Sequence, residues 1–412
     1  MTKIKREKKS NIPLILMMFV IVVFGLSILY SVSGPSGYAL SGVNDSEYYL
    51  KRQLVFTVFG LGLALIINFM PISFFKNPTI WGGAYILSLA LAIAVKLFGA
   101  DHNGARRWIE IGTYQIQPSE ICKVALIIFL AGYREFIVKL RAAGKLRAPT
   151  RKRQVWNHAF FDFIFPVGAC LLVDLFILME PHFSCFLIIG FVVAMCTVNS
   201  GAGLRTWILG GLVIGLAGII AAAAYIALNP SYRDNFAHVY QRLNIFAATS
   251  GDEDAEVTED ETRQVTNAHN ALGSGGMWGR GIGSSRAKYN YVSEAQNDYI
   301  FSIYVEEMGF MGGLILILIY AIMFIMFVMV IVRANSVFAR MLATGCSSLI
   351  MIQVVLNIAV ELQVVPSTGV TLPFVSYGGS AQVFLLVAYG LILCVSRDAT
   401  DPKINKKVTN IT

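Results

Sequence analysis

The chain is a series of long apolar runs separated by shorter polar connections. Ten runs stand out, at roughly 12–33, 53–70, 79–99, 119–137, 159–179, 183–200, 206–227, 312–333, 338–360 and 380–396. Each is close to the ~20 residues that a helix needs to cross a hydrocarbon core. The pattern predicts an all-α polytopic membrane protein with about ten transmembrane helices. It is read as one membrane domain over residues 1–412. A single polar stretch is long, residues 228–298, between the seventh and eighth runs. It ends at Asp298, just before the apolar sequence YIFSIYV.

Composition agrees with a bilayer environment. Hydrophobic residues make up 56% of the chain and charged residues 14%, well below the charge content of soluble domains. The basic residues are clustered. Five lie in MTKIKREKKS at the N-terminus, seven lie in 138–157, and Arg397, Lys403, Lys406 and Lys407 lie in the tail. With ten spans these three segments share one side, and the excess of Lys and Arg makes it the cytoplasm. The 228–298 stretch, with seven acidic residues in 252–261, then lies outside. The net charge of +8 reflects this topology and attraction to anionic headgroups, and is poor support for nucleic-acid binding. The first run is longer than a signal-peptide core and lacks a small-residue cleavage site, so it reads as a retained anchor. The six cysteines lie in or beside the runs without CxxC spacing. Neither a disulfide framework nor a zinc site is expected.

Several polar positions carry candidate chemistry. Asn103-Gly104 marks a turn, and Arg106, Arg107 and Trp108 follow it. Two arginines outside the membrane suit an anion such as pyrophosphate. Pairing with Asp101, Glu110 or lipid phosphates is an equal alternative. Pro118-Ser119-Glu120 opens the next helix, where Glu120 and Lys123 share a face, either as functional groups or as a structural ion pair. Asp162 is near the basic end of its span and is expected to be solvated. Asp174 lies deeper, and deep acids would suit ion coupling in a transporter. GSGGMWGRGIGSS (273–285) permits either a flexible turn or an anion-binding nest of N–H groups. VPSTGVTLPFVSYGGS (365–380), with its prolines and glycines, cannot be a plain helix. It is expected to be a cavity wall or an ordinary outer turn.

Taken together and in order, NGARRW–QPSEICK, GSGGMWGRGIGSS–NDYIF–EEMGFMGG and PSTGVTLPFVSYGGS resemble the SEDS family (shape, elongation, division and sporulation). Thr371 and Asn357 resemble its division and sporulation branch more than its elongation branch. The resemblance implies a peptidoglycan glycosyltransferase in the bacterial cytoplasmic membrane. Such an enzyme polymerises lipid II, a disaccharide-pentapeptide on undecaprenyl pyrophosphate, at the outer face. It implies that Asp298 is the catalytic carboxylate. It also implies that Arg52, Arg106, Arg107, Glu120, Lys123, Ser376, Gly378 and Gly379 form the substrate site. The implied partner is a class B penicillin-binding protein, with the eighth and ninth spans as candidate contacts. Small residues of the ninth span, Ala343, Gly345, Ser347 and Ser348, would permit close helix approach. No cofactor is demanded, and a divalent cation would be compatible, although no ligand cluster stands out.

The chain departs from the family pattern at four places. The usual Pro-Glu-Ala reads Ser293-Glu294-Ala295, Pro-Asp reads Pro181-His182, Tyr-Gln reads Arg263-Gln264, and Gln-Ser reads Asn267-Ala268. Two other functions use the same features. One is a flippase or transporter for a lipid-linked precursor, built on Asp174 and the deep charges. The other is a non-catalytic scaffold for a transpeptidase.

Overall fold

The computed structural model describes residues 10–39, 44–102, 105–112, 114–180, 183–228, 237–249, 259–289, 292 and 295–399. Its helices are α1 (Ile12–Ala39), α2 (Tyr48–Phe69), α3 (Ile72–Phe75), α4 (Pro78–Phe98), α5 (Pro118–Ala142), α6 (Arg151–Ala159), α7 (Phe165–Leu178), α8 (Phe183–Val198) and α9 (Leu204–Leu228). There follow α10 (Ala237–Thr249), α11 (Glu259–Ser274), α12 (Ile300–Val332), α13 (Val337–Glu361) and α14 (Ser380–Ala399). A π-helical turn, Phe160–Ile164, joins α6 to α7.

All ten apolar runs fall on helices. Among the described residues, seven helices are long and apolar enough to cross a membrane, counting α6, the π turn and α7 as one. Helix α8 and the apolar part of α9 are shorter. Helix α5 carries Glu120, Lys123, Arg134, Glu135, Lys139 and Arg141, which lowers its hydropathy although much of it is buried. Local sequence starts the helices as expected. Pro118 occupies the first turn of α5, where its missing N–H costs nothing. Asn77 and Ser336 cap α4 and α13 through their side chains.

The all-α expectation meets one exception. Residues 100–116 fold into a three-stranded antiparallel sheet of β1 (Ala100–His102), β2 (Ala105–Ile111) and β3 (Tyr114–Ile116). Ile109, Glu110 and Ile111 of β2 pair with Ile116, Gln115 and Tyr114. The sheet leads directly into α5 and delivers Arg107 and Trp108 to the mouth of the bundle.

Burial divides inner from outer helices. The spanning windows of α13 and α14 are 67% and 83% buried, against 22% and 17% for α2 and α4. Glycine permits close approach where α2 meets α14. A Cβ on Gly390 would lie 2.7 Å from the Ala64 Cα, and one on Gly60 would lie 2.7 Å from Leu386. Toward the start of α2, which carries Arg52, Gln53 accepts hydrogen bonds from Gly378 and Gly379 in the segment entering α14. Small residues of the ninth apolar run, on α13, face inward. Ala343 and Ser347 are buried, and a Cβ on Gly345 would strike Ile127 and Cys196. These residues serve the chain's own packing.

Candidate functional site

Asp298 sits one residue before the N-cap of α12, and three elements fix its backbone. Its carbonyl accepts a hydrogen bond from Asn357 Nδ2 at 2.9 Å, and the same amide donates to the Val370 carbonyl at 2.9 Å. One side chain of α13 thus ties Asp298 to the 362–379 connection. The Tyr377 N–H donates to the Gln296 carbonyl at 2.9 Å, a second tie. The first N–H groups of α12, from Phe301 and Ser302, donate to the Glu361 carboxylate. A carboxylate at a helix N-terminus is well placed for those donors and for the helix dipole. Glu361 is therefore engaged in holding the helix, and Asp298 is the carboxylate of this region that reaches the cavity.

The cavity measures about 450 Å³. Arg52, Arg107, Glu120, Lys123, Asp298, Gly378 and Gly379 all line it. Residues far apart in sequence are brought together from α2, β2, α5, the turn before α12 and the segment before α14. Glu120 and Lys123 form a buried ion pair at 2.7 Å, and both also border the cavity. Four cations, counting Arg242, and two carboxylates line the wall, leaving a net positive site. Burial, with the Arg242 cation close by, lowers the Arg107 pKa from its ordinary value, as expected where cations are crowded away from water. Arg107 Nε donates to the Glu180 carbonyl at 3.2 Å. Burial pushes the Glu180 carboxyl up to about 8, against the opposing pull of Arg107.

The 365–380 segment is a cavity wall. Gly369, Val370, Thr371 and Tyr377 face the space. Gly369 has φ +66°, and a Cβ there would lie 3.5 Å from Arg242 Nη2 and 3.6 Å from Asp298 Oδ2. The base candidate and a guanidinium thus converge on one bare stretch of backbone. Gly378 and Gly379 donate their N–H groups to Gln53 Oε1, each at 3.3 Å. Gln53 Nε2 donates to the Ser376 carbonyl at 3.2 Å. Ser376 is buried outside the cavity lining, and its hydroxyl accepts from the Leu372 N–H at 2.8 Å. It shapes the loop that presents the glycines. Arg106 lies on β2 opposite Asp101, and its side chain falls outside the described residues.

Two site residues escape a reading of the sequence. Arg242 is the only charged residue of α10, and a lone arginine in an apolar helix inside a polar stretch is the available signal. Gln53 follows Arg52 at the start of α2 and is 1% exposed. Nothing in sequence distinguishes it from an ordinary polar residue near a helix end. Of the diverged positions, Arg263 is exposed on α11 and Asn267 is half-buried there, while His182 and Ser293 lie outside the described residues. Most of the acidic run 252–261 lies outside them as well.

Among the described residues no three His, Cys, Asp or Glu side chains come together. Glu120 is already held by Lys123, and the donor set is mainly cationic.

Comparison with known proteins agrees over nearly the whole chain. Residues 12–401 match the family of FtsW, RodA and SpoVE, described as cell cycle proteins. Stage V sporulation protein E of Bacillus subtilis is 30% identical over 95% of this chain and 98% of its own length. The probable peptidoglycan glycosyltransferase FtsW of the same organism is 29% identical, over 95% and 92%. Among solved structures, a chain from a study of polymerization and crosslinking by a peptidoglycan synthase complex superposes with TM-score 0.69 at 25% identity, covering 95% of this chain and 99% of that one. The rod shape determining protein RodA of Thermus thermophilus superposes with TM-score 0.62 at 24% identity, over 95% and 98%, and so shares the fold. The chain belongs to the FtsW, RodA and SpoVE family of cell cycle proteins.

Proposed function

We propose that this protein is a peptidoglycan glycosyltransferase of the bacterial cytoplasmic membrane, and that the cavity around Asp298 polymerises lipid II. The observation that carries this reading is the convergence of Asp298 with Arg52, Arg107, Lys123 and Arg242 on one cavity. A carboxylate can take the proton of the acceptor sugar 4-hydroxyl. The freed oxygen attacks the anomeric carbon of the growing chain, forming the new glycosidic bond. The bond from that carbon to the pyrophosphate oxygen breaks, and undecaprenyl pyrophosphate leaves with the electron pair. Negative charge near the anomeric centre also suits an oxocarbenium-like transition state. The cations oppose the charge that develops on the departing pyrophosphate.

In the proposed topology, ten helices span the bilayer and both termini are cytoplasmic. The cavity residues of α2, α5, α8 and α13 then fall toward the outer ends of those helices, and the 228–298 stretch lies outside. A class B transpeptidase is the proposed partner. The names FtsW and SpoVE among the relatives support a role in division or sporulation.

The test is purified protein in detergent or proteoliposomes with fluorescent lipid II. Glycan polymer is the expected product. Movement of lipid II across the bilayer without polymer would favour the transporter reading instead.

A further inference from the structure

A second charged pocket, of about 300 Å³, lies at the other end of α5. Its centre is Asp162, carried on the π turn. Sequence alone predicts a solvated carboxylate there, yet the residue is 4% exposed. Arg134 Nη1 reaches Asp162 Oδ1 at 2.5 Å. Arg141 binds both carboxylate oxygens at 3.0 Å, and His158 Nδ1 lies 3.0 Å from Oδ2. The π turn inserts an extra residue into the helix, a device often found at functional sites. The turn before α9, with Gly201, Ala202 and Gly203, and the first residues of α9, with Arg205 and Thr206, close the pocket. Helix α9 is held there by a Phe163–Trp207 edge contact at 4.9 Å.

Asp162 neutralises only part of this charge. Arg134, Arg141 and Arg205 all line the pocket against one carboxylate. Arg141 Nε is buried and has no acceptor among the described residues. Arg205 is exposed and makes no ion pair among the described residues. At the start of α9 the Thr206 and Trp207 N–H groups donate to the Gly203 carbonyl, while those of Leu204 and Arg205 have no acceptor among the described residues and favour an anion. The pocket is thus a preformed cationic recess. Leu204, Trp156 and Phe160 beside it are exposed, so an apolar surface for acyl chains adjoins the charge.

We propose that this pocket binds the phosphate of an anionic lipid headgroup at the cytoplasmic leaflet. The leaflet assignment rests on the proposed topology, and the phosphate chemistry stands on the pocket itself. Arg205 is the exposed donor that the Asp162 network leaves over.

The test is native mass spectrometry of the full chain in neutral detergent, with dioleoyl phosphatidylglycerol, dioleoyl phosphatidylcholine or inorganic phosphate added. Arg205→Ala removes one exposed cation from the pocket. Arg333→Ala removes one from the end of α12 and serves as the control. Wild type is expected to retain phosphatidylglycerol over phosphatidylcholine. Arg205→Ala is expected to weaken phosphatidylglycerol retention by about fivefold, the effect of one cation near an anionic surface, and Arg333→Ala to leave it unchanged. Displacement of the lipid by inorganic phosphate from wild type but not from Arg205→Ala would support phosphate recognition in this pocket, and binding of inorganic phosphate without retention of phosphatidylglycerol by wild type would overturn the lipid assignment. Equal retention of the two lipids by wild type, equal retention of phosphatidylglycerol by wild type and Arg205→Ala, or equal losses from both variants would overturn the proposal. The assay contains no lipid II, so its failure would leave the polymerase reading untouched.

Discussion

At the scale of single residues, the site is decided by where carboxylates lie relative to cations and helix ends. Asp298 and Glu361 are close in the fold but differ in task. Glu361 receives the first N–H groups of α12, whereas Asp298 borders the cavity with Arg242 across Gly369. Asp298 is legible in the sequence because a carboxylate at the edge of an apolar run needs a reason to be there. Arg242 is not, because its partners come from other elements and only the fold brings them together. Glu180 gives a pH test at this scale. Its carboxyl is pushed up to about 8 by burial, above its unfolded value. The native state therefore holds this proton more tightly than the unfolded chain does. The stability it contributes is full below about pH 4.5 and is lost as pH rises through about 8. Glu180→Gln should flatten the fall in melting temperature between about pH 6 and 8.5 in detergent. An unchanged pH slope would show that Glu180 does not titrate there.

At the scale of elements, the glycine-rich 273–285 segment is neither a flexible turn nor an anion nest. It is docked on α12 where that helix breaks at Gly309, whose φ is +69°. The Arg280 and Gly281 N–H groups donate to the Glu306 and Glu307 carbonyls. In return, the Phe310 and Met311 N–H groups donate to the Gly276 and Met277 carbonyls. The glycines allow backbone to meet backbone, since a Cβ on Gly279 would strike the Glu307 carbonyl oxygen. The Glu306 carboxylate accepts from the Ser285 hydroxyl and the Arg286 N–H, and Glu307 pairs with Lys288 at 2.7 Å. Two buried acids, Glu306 and Glu307, thus anchor the loop that leads to Asp298. Gly279→Ala should lower the melting temperature well beyond Gly276→Ala. Both have positive φ, worth about 1–3 kcal/mol each, but Gly276 has open space around its Cβ position. Similar losses from the two would contradict the docking role. The periodicity of the chain reveals the helices, but it cannot reveal the sheet at 100–116, whose strands are short and lie in a polar connection.

At the scale of the whole molecule, α5 links two charged pockets. Glu120 and Lys123 border the Asp298 cavity at one end, and Arg134 and Arg141 border the Asp162 pocket toward the other. The apolar runs make the membrane architecture legible, because a helix in hydrocarbon must be apolar over its length. The two pockets are legible only in pieces, since each draws side chains from several elements. In the proposed function, Asp298 is the general base of lipid II polymerisation. The direct measurement is the rate of glycan formation from lipid II by purified wild type and Asp298→Asn at equal amounts of folded protein. The substitution keeps shape and removes the basic carboxylate, so the rate should fall by about 10²–10⁴-fold with the melting temperature little changed. Polymerisation by Asp298→Asn at the wild-type rate would remove Asp298 from the reaction.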